Sequence, residues 1–106
     1  MGEIIYNKLV RDDIPKIVKG LGKTVKTRML NDEEYGKALF EKLIEESMEA
    51  RDNPNDWEEL ADVEEVIYAI LEFKKIDARE FRLMRQRKHS DRGGFRERIL
   101  LESISD

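Results

Sequence analysis

Two helix-period segments lie back to back in the middle of the chain, with only the turn signal Asn53-Pro54-Asn55 between them. A connection that short makes the two helices neighbours, and the rest of the chain has to be arranged around the pair. Asn31 opens the first segment, with Glu34 three residues on as a capping-box partner, and the pattern runs to about Arg51. Its apolar arc is Leu39, Phe40, Leu43, Ile44 and Ala50. Asn55 and Glu58 repeat the capping-box spacing and start the next helix, which continues to about Lys75. There the apolar arc is Leu60, Val63, Val66, Ile67, Ile70, Leu71 and Phe73.

The acidic residues of these helices are not confined to their polar sides. At about 100° per residue, Glu59 shares a sector with Val63, Val66 and Ile70, and Asp62 falls beside Val66, Ala69 and Phe73. Glu58, Glu64, Glu65 and Glu72 occupy the polar side. On the first helix Glu46 borders the apolar arc, almost in line with Leu39 and Leu43, while Glu49 and Glu45 lie progressively further round.

A carboxylate turned toward apolar neighbours costs several kcal/mol if it has no partner. This placement puts no basic residue on either apolar arc, so the expected partner is a cation shared by Glu46, Glu49, Glu59 and Asp62. The competing arrangement pairs Glu59 and Asp62 with arginines arriving from the basic segment further on. An all-oxygen donor set suits Mg2+ or Mn2+ rather than zinc, and His89 is the only histidine in the chain. Beside that set, Glu45 is the candidate to orient or deprotonate a water molecule, its alternative being an ordinary solvated helix residue.

Charge is distributed with a strong asymmetry. From Glu45 to Glu72 there are eleven acidic residues and one basic residue, and from Arg79 to Arg98 eight basic and three acidic ones. A nucleic-acid polymer calls for a uniformly basic face, whereas an acidic centre followed by a basic segment suits a site where metal and phosphate meet. At 106 residues, 40% hydrophobic and 42% charged, the chain reads as a single domain with a modest core. A thin helical core implies burial against another copy, hence a homo-oligomer, a dimer or a dimer of dimers. There is no cysteine, no run long enough to span a membrane and no signal-peptide pattern, so the cytoplasm is the expected location.

The flanking segments are less informative. Ile4–Val10 has no clear assignment, and Arg11-Asp12-Asp13-Ile14-Pro15 opens a short helix with an Asp N-cap, ending near Gly20 with Gly22 reinforcing the stop. Lys23–Leu30 reads as an extended connector. Asp77 and Glu80 cap a fourth helix through about His89, anchored by Phe81 and Met84, which Arg92-Gly93-Gly94-Phe95 breaks. Gly93-Gly94 would let backbone approach a phosphate beside Lys88 and Arg92, although a plain loop also accounts for it. Trp57, in the first turn of the third helix, is expected to pack there, stacking on a base being the alternative. The expected fold is all-α, a four- to five-helix bundle whose core is completed by dimerisation.

Glu45-Glu46-x-x-Glu49 followed by Glu59-x-x-Asp62 resembles the E-E-x-x-E…E-x-x-D signature of the all-α nucleoside triphosphate pyrophosphohydrolases, which include MazG-type enzymes and dimeric dUTPases. Tyr6-Asn7-Lys8-Leu9-Val10-Arg11-Asp12 and Arg92-Gly93-Gly94-Phe95 are similar to the phosphoribosyl-ATP pyrophosphohydrolase-like branch. The resemblance implies Mg2+-dependent cleavage between the α and β phosphates of a nucleotide in a house-cleaning role. It places Glu46, Glu49, Glu59 and Asp62 at the metal ligands, with Lys8, Arg11, Lys88 and Arg92 as candidates for phosphate contacts. Hydrolysis of phosphoribosyl-ATP is a further expectation, and a helical module that binds nucleotide or protein without turnover is the alternative outside the enzymes. Only nine residues separate Glu49 from Glu59, fewer than the signature usually has; the helical faces still allow convergence, and the expected consequence is a reshaped pocket or loss of activity.

Overall fold

A computed structural model describes residues 2–106. The described residues form four α-helices and no strand: α1 (Ile14–Gly20), α2 (Asp32–Asp52), α3 (Glu58–Phe73) and α4 (Ala78–Arg92). The fold is all-α, as its helical periodicity implies.

The start of α2 is the capping box read from the sequence. The Asn31 side chain accepts from the Glu34 N–H at 2.9 Å, and the Glu34 carboxylate accepts from the Asn31 N–H at 3.2 Å. At α3 the expected box does not form. Trp57, not Asn55, occupies the N-cap and makes no side-chain cap. Instead the chain winds into the helix through a tight turn: Glu59 N–H donates to the Asp56 carbonyl and Leu60 N–H to that of Trp57, both at 3.1 Å. Asp56 Oδ1 accepts from the Glu58 N–H at 3.1 Å, the donor expected to go to Asn55, so these bonds together satisfy the first free donors of the helix. Trp57 also fails to pack, its side chain being 80% exposed.

Asp77 caps α4 by accepting from the N–H groups of Arg79 and Glu80. This helix extends to Arg92, past the expected end at His89, and stops where Gly93 adopts φ +80°, a conformation that suits glycine.

The core lies between α2 and α3. Leu39, Val66 and Ile70 are buried there, with Tyr35, Leu43, Ala69 and Phe73 packed around them. The Tyr35 and Phe73 rings meet edge to face at 5.1 Å. A Cβ at Gly36 would lie 3.1 Å from the Phe73 ring, so the missing side chain lets the two helices close at this end.

The N-terminal segment without an assignment is a strap. Asn7 turns it through φ +46°, and Leu9 drops onto the core between α2 and α3.

No other pair of helices shares an interface like that of α2 and α3. The apolar arcs are wider than what this hairpin covers: Ile44 is 61% and Leu60 63% exposed. The radius of gyration is 18.5 Å, against about 13 Å for a compact chain of this size.

Candidate metal centre

Glu46 and Glu49 stand one turn apart near the end of α2, and Glu59 is the second residue of α3. The five residues between the helices, 53–57, fold the chain back so that these three side chains meet. Each offers a carboxylate oxygen, and the three oxygens lie within 4.8 Å of one another. The short interval between Glu49 and Glu59 therefore allows convergence.

The electrostatics of this cluster are unbalanced. Glu46 is buried, Glu59 is half-buried and Glu49 is exposed. Oε2 of Glu59 is shut off from solvent and accepts no hydrogen bond. Burial, then the charges of Glu49, Asp56, Asp62 and Glu46, push the Glu59 carboxyl above its usual range. Glu49 is pushed up as well, chiefly by the charge of Glu46.

Part of the charge is met by a residue that the helical wheel left out. Lys42 Nζ sits 3.2 Å from Glu46 Oε1 and 3.1 Å from Glu45 Oε2. The expectation that no basic group attends the apolar arcs is thus corrected. A lysine stem lies along apolar surface while its ammonium reaches the edge, so a residue off the arc can serve a carboxylate on it.

Glu45 lies outside the cluster, gripped by Lys8 at 2.7 Å as well as by Lys42. The Lys8 hydrogen bond holds its carboxyl below the usual range and pushes the Lys8 ammonium up in turn. Asp62, the fourth expected ligand, accepts from Arg11 at 2.6 Å and is not one of the three converging carboxylates. Its arginine comes from the N-terminal strap and not from the basic segment. Lys8 and Arg11 thus flank Leu9 and tie the strap to both helices, beside the carboxylates. Lys88 and Arg92 are exposed on α4, where no basic side chain forms an ion pair among the described residues.

The donor set fits a hard divalent cation. It is all oxygen, it carries excess negative charge, and one of its buried oxygens is without a partner. Ligands of an octahedral Mg2+ stand about 3–4 Å apart, so small side-chain rotations bring these oxygens into range.

The structure brings together Glu46, Glu49 and Glu59 of the four expected ligands, leaves Asp62 with Arg11, and adds Lys42, which sequence reasoning missed. The signal was present: Lys42 precedes Glu46 by four residues, a spacing that places both on one side of a helix. The Arg11–Asp62 pair spans 51 positions and leaves no local trace in the sequence.

No family model matches the chain, and no solved structure matches it. A protein of Mycolicibacterium smegmatis described as uncharacterized is 48% identical to it over 44 residues. That match covers 42% of this chain and 45% of the other protein, so less than half the length of the relative is represented.

Proposed function

We propose that this chain is a nucleotide pyrophosphohydrolase of the MazG-like all-α type, cleaving between the α and β phosphates to release a nucleoside monophosphate and pyrophosphate. The observation that carries the reading is the convergence of Glu46, Glu49 and Glu59 on one point, with a buried Glu59 oxygen left unpaired. A protein at rest has little reason to maintain such a cluster without a cation to neutralise it.

Glu46, Glu49 and Glu59 would hold Mg2+ or Mn2+, and Asp62 would join them on release from Arg11. When bound, the ion supplies charge neutralisation for phosphate oxygens and a more acidic water. The side chains of this protein do the rest. Glu45, still paired with Lys42 when substrate draws Lys8 away, accepts a hydrogen bond from the attacking water and orients it. Lys8 and Arg11, already beside the carboxylates, exchange their carboxylate partners for phosphate oxygens. Lys88 and Arg92 serve the same substrate from α4. The working form is a cytoplasmic homo-oligomer.

The test is pyrophosphate release over a panel of standard, modified and phosphoribosylated nucleotides with Mg2+ or Mn2+. Product from at least one substrate, abolished by chelation, is expected. Silence over the whole panel sinks the enzymatic reading.

A second reading has its own support in the ion pairs already satisfied by Lys8, Arg11 and Lys42: a helical module that binds without turnover. The variant Glu59→Gln separates the two. An enzyme loses product formation, whereas a module keeps its binding and melts higher with Mg2+ or without it.

A further inference from the structure

The strap places an aromatic ring at the rim of the carboxylates. Asn7 holds φ +46°, a left-handed conformation that a residue with a side chain keeps only where its neighbours enforce it, and such positions gather at ligand sites. Here the enforcement comes from the residues that follow. Lys8 and Arg11 are ion-paired to Glu45 and Asp62, and Leu9 is packed on the core. The chain turns at Asn7 just before it is fastened, and Lys8 Nζ lies over the Tyr6 ring, 5.9 Å from its centroid.

That ring is 67% exposed. Its face is turned toward Lys8, whose ammonium reaches Glu45 at 2.7 Å. Lys42 continues the line, 3.1 Å from Glu45 and 3.2 Å from Glu46. An open aromatic face therefore stands one lysine outward of Glu45. Tyrosine offers a flat apolar ring with few torsions to immobilise, which suits it to stacking on a planar ligand. Trp57 is exposed too, but it starts about 200° round α3 from Glu59 and so turns away from the carboxylates.

We propose that Tyr6 is the platform on which the base of the substrate stacks while its phosphates meet Lys8, Arg11 and the carboxylates. The assignment rests on the proposed pyrophosphohydrolase activity and names the part of the substrate that this activity leaves open. A nucleotide carries its flat base one sugar away from its phosphates, and the strap sets Tyr6 and Lys8 in the same order. When Lys8 turns from Glu45 to a phosphate oxygen, it clears the face of the ring that it covers, and the base takes that place. Every base has a π-face, so such a platform tolerates changes in the base and discriminates against ligands that have none. The ligand class is nucleoside polyphosphates, standard or modified, in preference to inorganic polyphosphate or a sugar phosphate without a base.

The test is calorimetric titration of the full chain in Mg2+ with the α,β-methylene analogues of ATP, GTP, CTP and UTP, in which the proposed scissile bond cannot be cleaved. Tripolyphosphate is the base-free control. Tyr6→Ala should keep its helical circular dichroism, raise the Kd of the analogues that the parent binds by about tenfold and leave that of tripolyphosphate unchanged. Tyr6→Phe, which keeps the ring, should bind the analogues like the parent.

A Tyr6→Ala variant that loses analogue and tripolyphosphate alike, or loses neither, overturns the platform and leaves the enzymatic reading standing. A parent that binds none of the analogues overturns the platform whatever the pyrophosphate-release panel returns. Selective loss in a protein that releases no pyrophosphate supports the platform and counts only against the enzymatic reading.

Discussion

The ammonium of Lys42 lies 3.2 Å from the buried Glu46 carboxylate one turn further along α2. It is the cation that lets an acidic residue sit beside Leu39 and Leu43. Lys42→Met removes it and leaves the carboxylate without that charge. A fully buried pair broken in this way costs about 3–5 kcal/mol, and partial solvent access reduces the expected loss to about 2 kcal/mol. At about 4–8 °C per kcal/mol, the melting temperature should fall by roughly 10 °C. Saturating Mg2+ should restore most of the loss, since a divalent ion supplies the missing charge. Thermal denaturation with and without Mg2+ measures both effects.

Glu59→Gln removes the carboxylate whose Oε2 is buried without a partner. Without divalent cations the variant should melt higher than the parent, because an uncompensated charge is gone. In Mg2+ the order should invert. Saturation to 100 times Kd stabilises the parent by about 2.7 kcal/mol, a shift on the order of 10 °C, and the variant should gain little. Pyrophosphate release should fall by at least about 100-fold, the upper range for loss of groups that merely support a ligand. A variant that keeps the full Mg2+ shift would place the ion elsewhere.

The carboxylates titrate in opposite senses. Glu45 is held below its usual range by Lys8, so its contribution is present above the unfolded value, about 4.3, and disappears as pH falls through its lower folded value. Glu49 and Glu59 are raised, so what they contribute in their neutral forms is lost as pH climbs through their folded values. Metal-free protein should therefore be most stable in mildly acidic solution and less stable at pH 7.5. Mg2+ binds the ionised forms and should remove that decline. Melting curves from pH 4 to 8, each with Mg2+ and with chelator, test the sign.

The two sequence-level capping boxes make opposite predictions. Asn31→Ala breaks a formed box and should cost about 1 kcal/mol. Asn55→Ala, at the box that Asp56 and backbone carbonyls replace, should change stability by less than about 0.5 kcal/mol. Urea unfolding of the two variants side by side resolves the difference.

Helical segments and the inward turn of Glu46 and Glu59 were legible because both follow from a 3.6-residue period, whereas the same facing put Asp62 with them and Glu49 further round. Helix entry was less legible at Trp57, because the neighbouring Asp56 side chain takes the Glu58 N–H and backbone carbonyls take the next two, so the cap shifts by one residue from Asn55. The strap was the least legible part. Lys8, Leu9 and Arg11 have no periodic pattern, and their partners Glu45 and Asp62 lie on different helices. Facing can indicate that a carboxylate needs a cation, but not which distant segment brings one. Lys42 shows a third limit, since a residue's position on a helical wheel describes its Cβ and not the reach of four methylenes.

The turn at residues 53–57 also orders events in time. Contacts between α2 and α3 close a short stretch of chain, the kind of local pairing that forms fastest. Lys8 and Arg11 reach Glu45 and Asp62 only by closing separations of 37 and 51 residues, at a greater loss of chain entropy. The glutamates are thus assembled before the strap delivers its cations. A divalent ion in solution should therefore accelerate hairpin closure, and refolding followed by stopped flow with Mg2+ and with chelator measures it.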